Sequence, residues 1–205
     1  MKATELLKKQ HKEVADLFER IEAAEQASVK KALFEELAGK LVAHDGIERE
    51  IFYPACEKKL TSDEDQDMLG EALVEHGLVE FTLFNADRER GKVFDARVKV
   101  LKDIVEHHVE EEEKELFPEV EKAFAGSELE KLGQRMEEAF EEKVEEDFRP
   151  GLEKNVRQVV SGAIKTSPKA APAQRAPAKR TPARATKSAA AKKPTRKPQR
   201  GRKAA

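Results

Sequence analysis

The stretch His44-Asp45-Gly46-Ile47-Glu48-Arg49-Glu50-Ile51-Phe52-Tyr53-Pro54 has a counterpart further along the chain, His108-Val109-Glu110-Glu111-Glu112-Glu113-Lys114-Glu115-Leu116-Phe117-Pro118. Each opens on a His, with a Glu four residues on, an aromatic nine on and a Pro ten on. Four residues is about one helical turn, so each His and its Glu share a helix face. An imidazole and a carboxylate on one face, used twice, is a way for a helical bundle to hold metal.

The repeat extends outward. His11 lies 33 residues before His44, and His76 lies 32 before His108. Both carry a Val three residues later, Val14 and Val79. The chain therefore reads as two similar helical hairpins, each with one His on its first helix and His-x-x-x-Glu on its second. A unit that occurs only twice points to a pseudo-symmetric bundle rather than a solenoid.

Helical spacing of apolar residues supports this reading. A first helix is expected from an N-cap at Thr4 to about Ala23, with Leu7, Val14, Phe18 and Ile21 on one face. A second, capped by Ser28, carries Leu33, Leu37, Leu41, His44, Glu48 and Ile51 to about Leu60, distorted at Pro54. Thr61-Ser62-Asp63 reads as a turn and cap for a third helix with Leu69, Leu73, His76, Val79, Glu80 and Leu83, and Gly91 marks the next turn. The fourth runs from about Val93 to Phe124 with a second distortion at Pro118, and Gly126 ends it. A fifth starts at Ser127 and is expected to stop at Arg149-Pro150-Gly151. No alternating stretch argues for a strand. The fold class is thus all-α, an up-down four-helix bundle with an additional C-terminal helix and a disordered tail. The expected divisions are 1–148 for the bundle plus fifth helix, 149–161 for a short connecting segment and 162–205 for the tail.

The four histidines and two glutamates lie in phase with aliphatic residues and so face the core. Burying an ionised carboxylate costs several kcal/mol unless something compensates it. Two carboxylates in one core also repel each other. A divalent cation neutralises the acids and gives the imidazole lone pairs a partner. One His-x-x-x-Glu alone would be an ordinary surface pair, and one apolar-face His an ordinary core histidine. Four matched positions favour metal. Imidazole with carboxylate and no thiolate cluster suits iron, with manganese and zinc behind it. Four His and two Glu are enough for two ions.

These residues, His11, His44 with Glu48 before Phe52-Tyr53-Pro54, His76, and His108 with Glu112 before Leu116-Phe117-Pro118, resemble the hemerythrin-like, or HHE cation-binding, family over roughly residues 1–148. The resemblance implies an up-down four-helix bundle around a non-haem centre of two iron ions, oxo- or hydroxo-bridged. It also implies that Glu48 and Glu112 bridge the irons while His11, His44, His76 and His108 are terminal ligands. Ferritin-like bundles use Glu-x-x-His, the reverse order, and fit less well. Oxygen-carrying hemerythrins place a further His where this chain has Glu80, and a slightly later Asp on the fourth helix. The extra carboxylate argues against reversible oxygen carriage and toward oxygen, peroxide or nitric oxide chemistry, or sensing. An enzyme form, such as catalase-like peroxide dismutation, and a non-catalytic sensor both stay open. Glu80 is open between a seventh ligand, a base behind the ligands and a solvated acid. Tyr53 is open between contact with a metal-bound oxygen species and packing with a satisfied hydroxyl. His107, about 100° around the helix from His108, should face outward, and Cys56 should be a small core residue.

The net charge of −2 conceals a split chain. Residues 162–205 hold eight Lys, six Arg, six of the nine Pro and no acid, while residues 1–161 carry a net −16. The tail resembles the Ala/Lys/Pro-rich tails of linker histones. It has no large apolar residue after Ile164 and cannot build a core. It is suited to non-specific nucleic-acid contact through phosphates, and its lack of aromatics excludes base stacking. An alternative function follows: a nucleic-acid-associated protein whose metal site is protective or regulatory. The acidic domain competes for the same charge. No apolar run is long enough to span a bilayer, and the first thirteen residues lack a secretion signal's apolar stretch. With a single Cys, the expectation is a cytoplasmic protein with no membrane partner, located at the nucleoid if the tail binds DNA.

Overall fold

The computed structural model describes residues 1–161, and these are helical without a strand. The element order is α1 (Ala3–Ala23), α2 (Ala27–Ile47), a π-helical turn (Glu48–Phe52), α3 (Tyr53–Cys56), α4 (Asp63–Asp87), α5 (Gly91–Glu111), a second π-helical turn (Glu112–Leu116), α6 (Phe117–Ala123), α7 (Gly126–Val144) and α8 (Phe148–Val160). The all-α bundle expected from the sequence is what the chain forms. No described helix is long and apolar enough to cross a membrane. The expected tail at 162–205 lies outside the described residues.

Helix α1 packs on α2 and α4 on α5, as the two-hairpin reading requires. Ser62 caps α4, its hydroxyl accepting from Asp65 N at 3.1 Å. Gly91 takes φ +60° at the turn into α5, a left-handed conformation favoured by glycine. Two cap expectations change. Helix α1 begins after Lys2, which leaves Thr4 inside the helix with its buried hydroxyl donating to Glu121 at 2.8 Å. Helix α2 begins after Gln26, ahead of Ser28.

The two prolines distort their helices in the same way. Tyr53 N–H bonds back five residues to Glu48 O, and Phe117 N–H to Glu112 O. Each wide turn runs into a proline that has no N–H to offer and whose ring would crowd an α-helical carbonyl. In a regular helix a residue five positions on is rotated by about 140°. Here the extra residue in the turn lets Glu48 and Tyr53 both reach His76, at 3.4 Å and 3.0 Å.

The expected stop at Arg149-Pro150-Gly151 is instead the start of α8, so the helix Phe148–Val160 occupies all but the last residue of the expected connecting segment 149–161. Asp147 caps it, accepting from Arg149 N at 3.2 Å. Pro150 lies in the first turn, where a missing N–H costs nothing. Phe148, Leu152 and Val156 recur every four residues and are buried against α2 and α4. Helix α7 covers α1 and α2 through Leu129, Leu132 and Met136.

The core is two apolar clusters rather than one. Phe18, Phe34, Leu37, Leu83, Phe94 and Leu101 anchor the first. Leu7, Ile47, Phe52, Tyr53, Leu69 and Phe117 anchor the second. The predicted histidines and glutamates occupy the helix positions between the two.

Candidate metal centre

Helices α1, α2, α4 and α5 contribute one buried histidine each: His11, His44, His76 and His108. The two π-helical turns begin with the buried carboxylates Glu48 and Glu112. All six predicted residues come together. They form two groups that could each hold a cation: His11, His44, Glu48 and Glu112, and Glu48, His76 and His108. Glu48 belongs to both.

The carboxylates cross between the halves of the repeat. Glu48 Oε2 lies 3.2 Å from Nε2 of its own-helix partner His44 and 3.4 Å from that of His76 in the other hairpin. Glu112 Oε2 lies 3.6 Å from His108 Nε2 and 3.4 Å from His11 Nε2. The two half-sites of the repeat are thus interleaved.

All four Nε2 atoms face inward because all four Nδ1 atoms are held from behind. His44 Nδ1 donates to Gln10 Oε1 at 2.8 Å, and His108 Nδ1 to Glu75 Oε2 at 2.9 Å. Gln10 and Glu75 each immediately precede the first-helix histidine of their hairpin, so this pair repeats as the candidate ligands do. His11 Nδ1 donates to Glu113 Oε1 at 2.9 Å. The position equivalent to Glu113 is Arg49, which cannot accept, and there Asp45 takes the role, bonding His76 Nδ1 while itself accepting from Arg49 Nε at 2.7 Å. Acceptors at Nδ1 fix the tautomer and leave each Nε2 lone pair for a ligand.

Among the described residues, several inner atoms have no hydrogen-bond partner. His11 Nε2, both oxygens of Glu48 and Glu112 Oε2 are buried without a hydrogen bond, a costly arrangement for polar atoms. His76 Nε2 and His108 Nε2 face each other at 3.0 Å, a distance at which two lone pairs need a proton or a cation between them. The donor set therefore fits a cation.

In the metal-free chain the charges are pushed apart. Burial and the neighbouring Glu112 raise the Glu48 carboxyl to about 8. Burial opposes ionisation of Glu112 too, but His108 and His11 hold it at about 2. Burial works against charging His11, yet the Glu112 carboxylate 3.4 Å away and the hydrogen bond to Glu113 raise it to about 9. Burial, with the charge on His11, lowers His44 to about 3.

Glu80 is buried, 1 % exposed, which removes the solvated-acid reading. It lies outside both ligand groups, accepting from Arg49 Nη2 at 3.2 Å and Asn155 Nδ2 at 2.5 Å. A polar chain therefore runs from His76 through Asp45, Arg49 and Glu80 to α8. The Tyr53 hydroxyl donates to Glu112 Oε1 at 2.8 Å and lies 3.0 Å from His76 Nε2. His107 is exposed, as its phase requires. Sequence reasoning missed Asp45, Gln10, Glu75 and Glu113. The matched positions of Gln10 and Glu75 were the available signal.

A small apolar cavity of about 30 Å³ opens beside the four histidines, walled by Val14, Leu41, Val79, Val105 and Val109.

No functionally curated protein matches the chain. A crystal structure of a hemerythrin HHE cation binding domain-containing protein from Mycobacterium kansasii is similar at 26% identity with a TM-score of 0.64, covering 76% of this chain and 99% of that one. The family model described as hemerythrin HHE cation binding domain matches residues 2–120, which include all six candidate ligands. With more than half of its length matched, the chain belongs to the hemerythrin HHE cation-binding family.

Proposed function

We propose that this chain is a di-iron protein that reacts with or senses oxygen, peroxide or nitric oxide. The observation that carries the reading is the convergence of four tautomer-fixed imidazoles on two carboxylates whose inner oxygens lack protein partners. His11, His44, Glu48 and Glu112 would hold one ion, and His76 and His108 the other, with Glu48 and Glu112 shared between them. When bound, the ion pair supplies electrons and open positions for a small oxidant or diatomic ligand.

The chain's own residues supply the rest. The valine- and leucine-walled cavity, with room for about one water-sized molecule, favours small, weakly polar ligands and excludes larger ones. Tyr53 Oη holds a proton between Glu112 Oε1 and His76 Nε2. The apolar clusters on either side shield the site from bulk water. Iron-loaded protein should show a visible spectrum that changes on adding peroxide, oxygen or nitric oxide. Oxygen evolution from peroxide that disappears in His44→Ala and Glu112→Ala identifies an enzyme. A spectral change without turnover identifies a sensor. No spectral response to any of the three would contradict the proposal.

A second reading rests on the fourteen basic and no acidic residues of 162–205. It takes the tail as a non-specific contact to nucleic acid, placing the centre beside DNA. Deleting 162–205 should weaken DNA binding and flatten its salt dependence. Unchanged affinity and slope would contradict it.

A further inference from the structure

Next to the centre, α4 and α5 frame a cleft of about 550 Å³ lined by Asp67, Glu71, Glu75, His107 and Glu111 among others. Beneath it lies a pocket of about 20 Å³ whose wall includes two of the buried ligands, His108 and Glu112. The two share Glu71, Glu75 and Glu111, and among the described residues neither is lined by a Lys or Arg. The inner pocket ends on Glu112, whose Oε2 is buried and without a partner.

Glu75 stands between them and serves both sides. Its Oε2 accepts from His108 Nδ1 at 2.9 Å, and its Oε1 lies 3.4 Å from His107 Nε2. His107 Nε2 is also 3.2 Å from Glu111 Oε1. Glu75, His107 and Glu111 thus bring three ligand atoms together at the surface, with His107 62 % exposed. Three ligand atoms at this partly exposed position suit a hydrated divalent ion held loosely, in contrast to the buried inner site.

Building on the metal-centre reading, we propose that this acidic cleft is the loading route for the divalent cation, with Glu75, His107 and Glu111 as its first docking point. The Val and Leu side chains that wall the small apolar cavity offer a hydrated cation nothing in place of its water. The acidic walls concentrate it instead and raise its entry rate. The two approaches divide by chemistry: ions enter through the acids, small oxidants through the valines.

The test is stopped-flow uptake of Co(II) by metal-free full-length protein, read by the absorbance of the bound ion. Glu71→Gln/Glu111→Gln removes two cleft acids and no inner ligand, and Glu130→Gln/Glu142→Gln removes two exposed acids of α7. The cleft variant should load about tenfold more slowly, with weaker salt dependence, to the wild-type end-point. His107→Ala should also slow loading, and the α7 variant should load at the wild-type rate. A cleft variant that loads at the wild-type rate, equal slowing by the α7 variant, or a lowered end-point at unchanged rate would each overturn the proposal alone. A wild-type chain that takes up no cobalt would overturn the metal centre itself.

Discussion

The Tyr53 hydroxyl donates a 2.8 Å hydrogen bond to Glu112 Oε1, tying the aromatic of one half of the repeat to the carboxylate of the other. The equivalent aromatic, Phe117, stacks on His11 with ring centroids 6.0 Å apart and has no hydroxyl. Two matched positions therefore differ by one oxygen, and that oxygen touches a member of each ligand group, Glu112 and His76. Tyr53→Phe leaves Glu112 Oε1 buried without its donor. The metal-free variant should be less stable by about 1–3 kcal/mol in urea denaturation, with its metal content unchanged. Equal stability would show that the bond contributes nothing to the fold.

Among the described residues Asp45 is the acceptor that holds His76 Nδ1, and Arg49 draws on the same carboxylate. Asp45→Ala should lower metal affinity by about 10–100-fold in chelator competition, the usual effect of losing a group that orients a ligand. An unchanged affinity would remove Asp45 from the centre's support.

Helix α8 is part of the bundle's packing, with Leu152 fully buried against α2 and α4. Leu152→Ala should cost about 2–4 kcal/mol in urea denaturation. A value near zero would return residues 149–161 to the status of a connector.

Asp87 anchors the same helix, bonded to Lys31 Nζ at 2.7 Å and Arg149 Nε at 3.0 Å. Burial opposes its ionisation, but these two cations hold its carboxyl below the ordinary range. A folded-state value below the unfolded one, about 3.9, means the stabilisation is present above that pH and is lost as pH falls through the folded value. Asp87→Asn should therefore lower the urea midpoint at pH 7, and its difference from wild type should shrink in acid below about pH 4. A difference independent of pH would show that charge is not the cause.

The candidate ligands were legible because a period of about 32 residues and a phase of four are properties of the chain itself. Gln10 and Glu75 repeat once per hairpin, 65 residues apart, and could have been found beside His11 and His76. Asp45 could not, because its role follows from Arg49 standing where the other half has Glu113, a substitution that matters only once the helices are packed. Glu80 was ambiguous because its burial depends on Asn155 of α8. That helix was hidden by Pro150-Gly151, which read as a stop when taken alone and as a helix start once Asp147 caps it. Likewise, the distortions at Pro54 and Pro118 were expected, but not that each would be a π-helical turn opening on a ligand.

The central claim is that one chain holds a pair of metal ions on these six side chains. The direct measurement is metal content per folded chain after anaerobic loading with Fe(II) and removal of loosely held ion, in wild type and in Glu48→Ala. The account predicts about two irons per wild-type chain and a large loss in Glu48→Ala, since Glu48 serves both ligand groups. Fewer than about one iron per wild-type chain, or an undiminished content in Glu48→Ala, would contradict it.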